Sequence, residues 1–226
     1  MKIKNINAIE VAAEQQAYLV KVFAWMGTGL ITTGLVAVWV VNNIGMIHPI
    51  MFFGAIIIEL ILVFRLARRV MQMSVNVATA SFIGYSALNG FTLSGVFLIY
   101  TTESIATTFF ITSSIFIVMA VFGYMTKRDL TKMGSFLYMG LIGIVIALVV
   151  NIFIGSSTVS LAISCLGVII FTGLTAYDVQ KIMKLNIIGN AGTDEDTKEA
   201  ILGALTLYLD FINLFLMLLR LVGNRR

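Results

Sequence analysis

The stretch ILGALTLYLDFINLFLMLLR, residues 201–220, holds one acid, Asp210, in an otherwise apolar run that ends at Arg220. A hydrocarbon core about 30 Å thick requires about 20 apolar residues of helix, so this stretch is long enough to cross a bilayer. Within it Gly203, Thr206, Asp210, Asn213, Met217 and Arg220 recur at spacings of 3, 4, 3, 4 and 3, which places them on one face of one helix. An ionised acid at the centre of a membrane helix costs about 2.5 to 3.5 kcal/mol even on the lenient insertion scale. Such a face is therefore expected to turn away from lipid, with the other helices around it.

Six further runs of this kind precede it, at about 22–41, 50–69, 78–100, 105–125, 135–154 and 159–178, and 201–221 is the seventh. The expected fold class is an all-α membrane protein of seven transmembrane helices, six surrounding a central C-terminal one. Residues 1–21 read as a cytoplasmic N-terminal segment and 22–226 as a single seven-helix domain. The first 21 residues have no apolar region followed by small residues, so no removable signal peptide is expected. Residues 179–200, with Asn186, Asn190, Asp194, Glu195, Asp196 and Glu199, read as a polar loop.

Composition agrees. The chain has 226 residues, 59% of them apolar and only 12% charged, against about 25% charged in soluble domains. Its +4 net charge is carried by too few cations to be a nucleic-acid footprint. The lone cysteine, Cys165, excludes a disulfide framework or paired-cysteine metal site and is expected to be a small buried apolar residue. Phosphate-loop, zinc-protease and EF-hand motifs are absent, so no enzymatic activity and no cofactor are expected.

The cations report orientation. Lys2, Lys4 and Lys21 precede span 1; Arg65, Arg68 and Arg69 end span 2; Lys127, Arg128 and Lys132 separate spans 4 and 5; Lys181, Lys184 and Lys198 follow span 6. All twelve fall on one side, and the opposite connections at 42–49, 101–104 and 155–158 hold none. Translocation disfavours Lys and Arg in short exported loops, so the N-terminus is expected in the cytoplasm. Arg220, Arg225 and Arg226 conflict with this pattern if span 7 crosses fully; either it is partly re-entrant or the earlier spans overrule it.

Three acids lie inside spans and are candidates for function by default: Glu59, Asp178 and Asp210. Asp178 shares a face with Thr175 and Lys181 near the end of span 6, and its plainest reading is a surface acid paired with Lys181. In span 3, Ser81, Tyr85, Asn89 and Thr92 form a polar stripe beside the small-residue line Ser86, Gly90 and Ser94, whose spacing suits close helix packing.

FTGLTAYDVQKI (171–182), the C-terminal segment 201–226, FLIYTTESIATTF (97–109) and YMTKRDL (124–130) closely resemble the Bax-inhibitor, or transmembrane Bax-inhibitor-motif, family, in its bacterial inner-membrane branch. The resemblance implies six helices wrapped around a central seventh and a pH-sensitive calcium leak. It further implies that an aspartate pair on the last two helices, here Asp178 and Asp210, senses protons and lines the path. A family arginine on helix 2 that holds one aspartate in the closed state maps onto Arg69, with Arg65 and Arg68 as alternatives, and a path-lining glutamate maps onto Glu59. Two carboxylates close together in a poorly hydrated site do not both ionise easily and are expected to share a proton. Calcium accepts such oxygens in irregular geometry, so Asp178 and Asp210 are candidate calcium ligands, with Glu59 and Asn213 as further oxygens along the way.

Expected partners are thus the lipid bilayer, calcium ions and protons. The competing readings are a proton-coupled cation exchanger and a regulator that binds other membrane proteins, of membrane-protease or death-pathway type. An intramembrane aspartyl protease fits Tyr177-Asp178 but not Leu207-Tyr208-Leu209-Asp210, which lacks the glycines of that motif, and Pro49 is the only proline.

Overall fold

A computed structural model describes residues 8–226. Seven helices follow in order: α1 (Ala8–Asn42), α2 (Ile50–Arg69), α3 (Val75–Ile99), α4 (Thr102–Met125), α5 (Thr131–Ile154), α6 (Ser157–Leu185) and α7 (Asp194–Val222). All seven are long and apolar enough to cross a membrane, and no strand occurs among the described residues. Local chemistry sets several ends. Thr101 caps α4 by accepting the Ser104 N–H at 3.3 Å, and Gly155, at φ +67°, closes α5 in the left-handed conformation. Thr193 Oγ1 accepts the Asp196 N–H at the start of α7, and Asp194, Glu195 and Asp196 fill its first turn, where the helix dipole favours negative charge.

Two expectations change. Residues 8–21 are helical and continue into span 1, making α1 35 residues or about 52 Å long; residues 1–7 of the expected cytoplasmic segment lie outside the described residues. The expected polar loop of 179–200 shrinks to 186–193, because α6 continues to Leu185 and α7 begins at Asp194. Charge ends an apolar run without ending a helix: Val179, Ile182 and Ala200 are buried along these extensions. A third correction concerns Cys165, which is exposed on the outer surface of α6.

The chain divides into two units. The first comprises residues 8–94 and 182–205. Here α1 and α3 pack closely: a Cβ on Gly90 would strike the Thr33 carbonyl, and Thr33 Oγ1 donates to the Ser86 carbonyl at 2.9 Å. The small-residue line of span 3 is thus a packing seam, as expected. Trp25 meets Phe82 edge to face at 6.2 Å. Beyond the apolar part, Lys21 Nζ binds Asp196 Oδ2 and Thr197 Oγ1, both at 2.9 Å, and Glu14 accepts the Gly189 N–H at 2.7 Å. These bonds fasten the first turns of α1 to the 186–197 segment.

The second unit comprises residues 95–181 and 206–226. Its core is Leu137, Ile144, Ile163, Phe171, Leu174, Leu214, Met217 and Leu218, drawn from α5, α6 and α7. Gly123 lets α4 approach α6 until a Cβ would strike the Ala176 carbonyl. Gln180, buried near the end of α6, accepts the Leu130 N–H and donates to the Arg128 carbonyl, both at 2.9 Å. That single amide ties α6 to the connection between α4 and α5. Residues 223–226 run back along the α3–α4 connection: Thr101 N–H donates to Asn224 O at 3.1 Å and Arg226 N–H to Ile99 O at 2.9 Å. Because α4 leads from residue 102 to the cationic 126–130 connection, this tail lies at the opposite end of the unit, which fits a full crossing of α7 better than a re-entrant one.

The helix α7 is by far the most buried: 72% of its most apolar segment is enclosed, against 39% for α6 and 11% for α2 and α5. That difference fits the expected central position of the seventh helix.

Candidate functional site

The polar face read from residues 203–220 divides into two lines. Gly203, Asp210 and Met217 are buried, whereas Thr206 and Asn213 are half-buried and Arg220 is exposed. The two lines are about 60° apart around the helix at about 100° per residue, so only the first is fully enclosed. Asp210 is 5% exposed, among Leu207, Tyr208, Phe211 and Leu214, which are buried too. Phe211 in turn stacks edge to face on Phe109 at 5.4 Å and on Phe116 at 5.5 Å, so the residue next to the acid packs α7 on aromatic rings of α4.

Asp178 is 1% exposed, which overturns its reading as a surface acid. It reaches this depth because Gln180 fixes the end of α6 and because Gly134 leaves room for Tyr177, whose ring would strike a Cβ at that position. The Tyr138 hydroxyl, from α5, donates to Asp178 at 3.1 Å to Oδ1 and 3.2 Å to Oδ2. The carboxyls of Asp178 and Asp210 are within hydrogen-bond range of each other. Among the described residues Asp210 Oδ2 meets no N–H or O–H donor. Two carboxyls bond to each other only through a proton that one of them carries, so the expected sharing of a proton needs this closeness of Asp178 and Asp210.

Among the described residues one cation acts on the pair. Lys181 acts electrostatically on both carboxyls, and its Nζ lies 5.6 Å over the Tyr138 ring and 5.8 Å over the Tyr177 ring. Those two rings meet edge to face at 5.9 Å. Lys181 itself is exposed, at the outer end of a short stack that leads from the surface to Asp178.

The remaining candidates are placed as follows. Arg65, Arg68 and Arg69 are all exposed at the end of α2, and the Arg68 guanidinium lies 5.7 Å over the Phe64 ring. They belong to the first unit, whereas the aspartate pair belongs to the second. Glu59, also in the first unit, is half-buried and turned toward α3: Asn89 Nδ2 donates to its Oε1, and Thr92 Oγ1 to its Oε2 at 3.1 Å. Asn213 Nδ2 donates to the Leu209 carbonyl at 2.8 Å, leaving Oδ1 as the atom it can offer a cation.

Sequence reasoning missed Tyr138. The signal was a phenol inside an otherwise apolar span, where a buried hydroxyl needs a partner, but nothing in the sequence links it to an acid 40 residues on. It also found Asn89 and Thr92 as a stripe without assigning them to Glu59.

Residues 15–226 match the family model described as "Inhibitor of apoptosis-promoting Bax1". The inner membrane protein YbhL of Escherichia coli K12 is 45% identical over 99% of this chain and 98% of its own length. An uncharacterized protein of Borreliella burgdorferi is 48% identical over 92% of each chain, and one of Rickettsia prowazekii is 46% identical over 92% of this chain and 90% of its own. Seven apolar helices, an enclosed α7 and near-complete alignment with these relatives lead to one conclusion: the chain belongs to the Bax-inhibitor family of multi-pass membrane proteins.

Proposed function

We propose that the chain is a pH-gated calcium leak across the bacterial inner membrane, with Asp178 and Asp210 as proton sensor and gate. The observation that carries this reading is the buried carboxyl pair itself. A shared proton joins α6 to α7; as pH rises and the proton leaves, two negative carboxylates repel, the helices part and a carboxylate-lined route remains. A divalent cation competes for the same oxygens and favours the same opening. Asn213, three residues on from Asp210 along α7, supplies a further oxygen along the path. The N-terminus and the cationic connections face the cytoplasm, as the distribution of Lys and Arg supports.

The test uses purified protein in liposomes with a trapped calcium indicator. Wild-type flux is expected to be low at mildly acidic pH and to rise toward mildly alkaline pH, whereas Asp178→Asn and Asp210→Asn flatten this response. Mutant flux equal to wild type at every pH would sink the sensor. Flux that needs an imposed proton gradient would mark an exchanger instead.

A further inference from the structure

Arg220, Arg225 and Arg226 are the cations that the one-sided pattern of the other twelve leaves unexplained. They stand at the end of the second unit opposite the 126–130 connection. On the expected orientation this is the exported end, where short connections ordinarily avoid Lys and Arg. All three are exposed. None of their side chains makes an ion pair or a hydrogen bond among the described residues. Glu103, the one acid in the 101–104 and 155–158 connections and the 220–226 segment, is exposed too and pairs with none of them.

Backbone bonds hold the arginines in place. Thr101 N–H donates to Asn224 O at 3.1 Å, Asn224 N–H to Ser104 Oγ at 2.9 Å and Arg226 N–H to Ile99 O at 2.9 Å. Gly223 packs so closely that a Cβ there would strike the Tyr100 ring, and the Arg225 guanidinium lies 5.9 Å over the same ring. Contact with a ring face uses none of the five guanidinium N–H donors. Apolar side chains are exposed beside these cations: Leu98 is 45% exposed, Ile99 51% and Val222 55%.

We propose that this end of the second unit binds an anionic phospholipid, with Arg220, Arg225 and Arg226 taking the headgroup phosphate and Leu98, Ile99 and Val222 meeting the acyl chains. Guanidinium N–H pairs match phosphate oxygens two at a time. A lipid fits better than a dissolved anion because cations and exposed apolar residues meet at one place. In a chain that crosses the bilayer, those apolar side chains face hydrocarbon and set the guanidinium groups at headgroup level. An anionic headgroup is selected over a zwitterionic one, whose own ammonium would lie against three like charges. The site stands apart from the aspartate pair, since Arg220 is ten residues beyond Asp210, or about 15 Å along α7. Binding needs neither permeation nor gating.

The test is fluorescence quenching of the full chain in nanodiscs, in a Cys165→Ala background with a fluorophore on Val222→Cys. Bromine-tailed phosphatidylglycerol or bromine-tailed phosphatidylcholine replaces unlabelled phosphatidylcholine in steps. Half-quenching is expected at about 5-fold lower mole fraction of the phosphatidylglycerol, a preference that falls about 3-fold with Arg225→Gln/Arg226→Gln. Arg220→Gln breaks no hydrogen bond or ion pair among the described residues, so it reads the site even if the paired variant loosens the tail; a fall of about 2-fold is expected. A fluorophore on Phe153→Cys, exposed at the end of α5 that leads to 155–158, controls for a general surface field and should show no preference. Equal half-quenching by the two lipids at Val222, the same preference at Phe153, or a preference that survives both arginine variants overturns the site. Inorganic phosphate, compared with chloride at equal ionic strength so that screening is matched, is expected to leave the preference unchanged. Its loss would assign the arginines to a dissolved anion and overturn the lipid.

Discussion

The Tyr138 hydroxyl reaches both oxygens of Asp178, and this sets the sign of a simple experiment. The hydroxyl occupies both Asp178 oxygens, so removing it leaves them to Asp210 and strengthens the join between α6 and α7. Tyr138→Phe is therefore expected to lower calcium flux at a given pH, with flux recovered at higher pH. Liposome flux measured across a pH series checks this, and unchanged or increased flux at every pH would contradict it. Asp178 and Asp210 were legible as residues because a buried acid is expensive in lipid and must have a reason. Their environment was not: Tyr138 lies 40 residues from Asp178, and only the packing of α5 on α6 brings the phenol to it.

At the scale of helices, glycine positions separate close approach from mere flexibility. A Cβ on Gly123 would strike the Ala176 carbonyl, whereas one on Gly143 meets nothing within 4 Å. Overpacking against backbone costs about 1 to 3 kcal/mol, so Gly123→Ala should lower the thermal midpoint in detergent while Gly143→Ala leaves it unchanged or slightly raised. Equal midpoints for the two variants would remove the α4–α6 contact as a constraint. A second element-scale test concerns the extension beyond the apolar part of α1. Asp196 is buried and Lys21 is its ion-pair partner at 2.9 Å. Lys21→Met leaves that carboxylate with the Gly192 N–H at 2.9 Å but no countercharge, and a loss of about 1 to 3 kcal/mol is expected, with recovery when Asp196→Asn is added. Proteolysis of the 186–193 segment reads this directly; equal cleavage in wild type and Lys21→Met would discount the tie. These extensions escaped a search for apolar runs because helices continue past the membrane on mixed polar and apolar residues, where hydropathy falls but the 3.6-residue period does not.

For the molecule as a whole, the bonded tail at 223–226 and the continuous α7 imply that residues 129 and 225 lie on opposite faces of the membrane. In a Cys165→Ala background, single cysteines at these positions should react with impermeant maleimide from opposite sides of intact vesicles; labelling of both from one side would contradict seven full crossings. The sequence by itself determined the number of spans, their approximate centres and the three acids worth attention. Each of these follows from the cost of placing polar or charged groups in hydrocarbon, a property of residue type alone. What only the tertiary structure decided was which way each side chain faces. In a bilayer both the protein interior and the lipid are apolar, so hydropathy carries no inward direction. That is why Cys165 proved to be exposed, why Asn213 parted company with Asp210, and why the partners of Asp178 and Glu59 emerged only once the helices were packed.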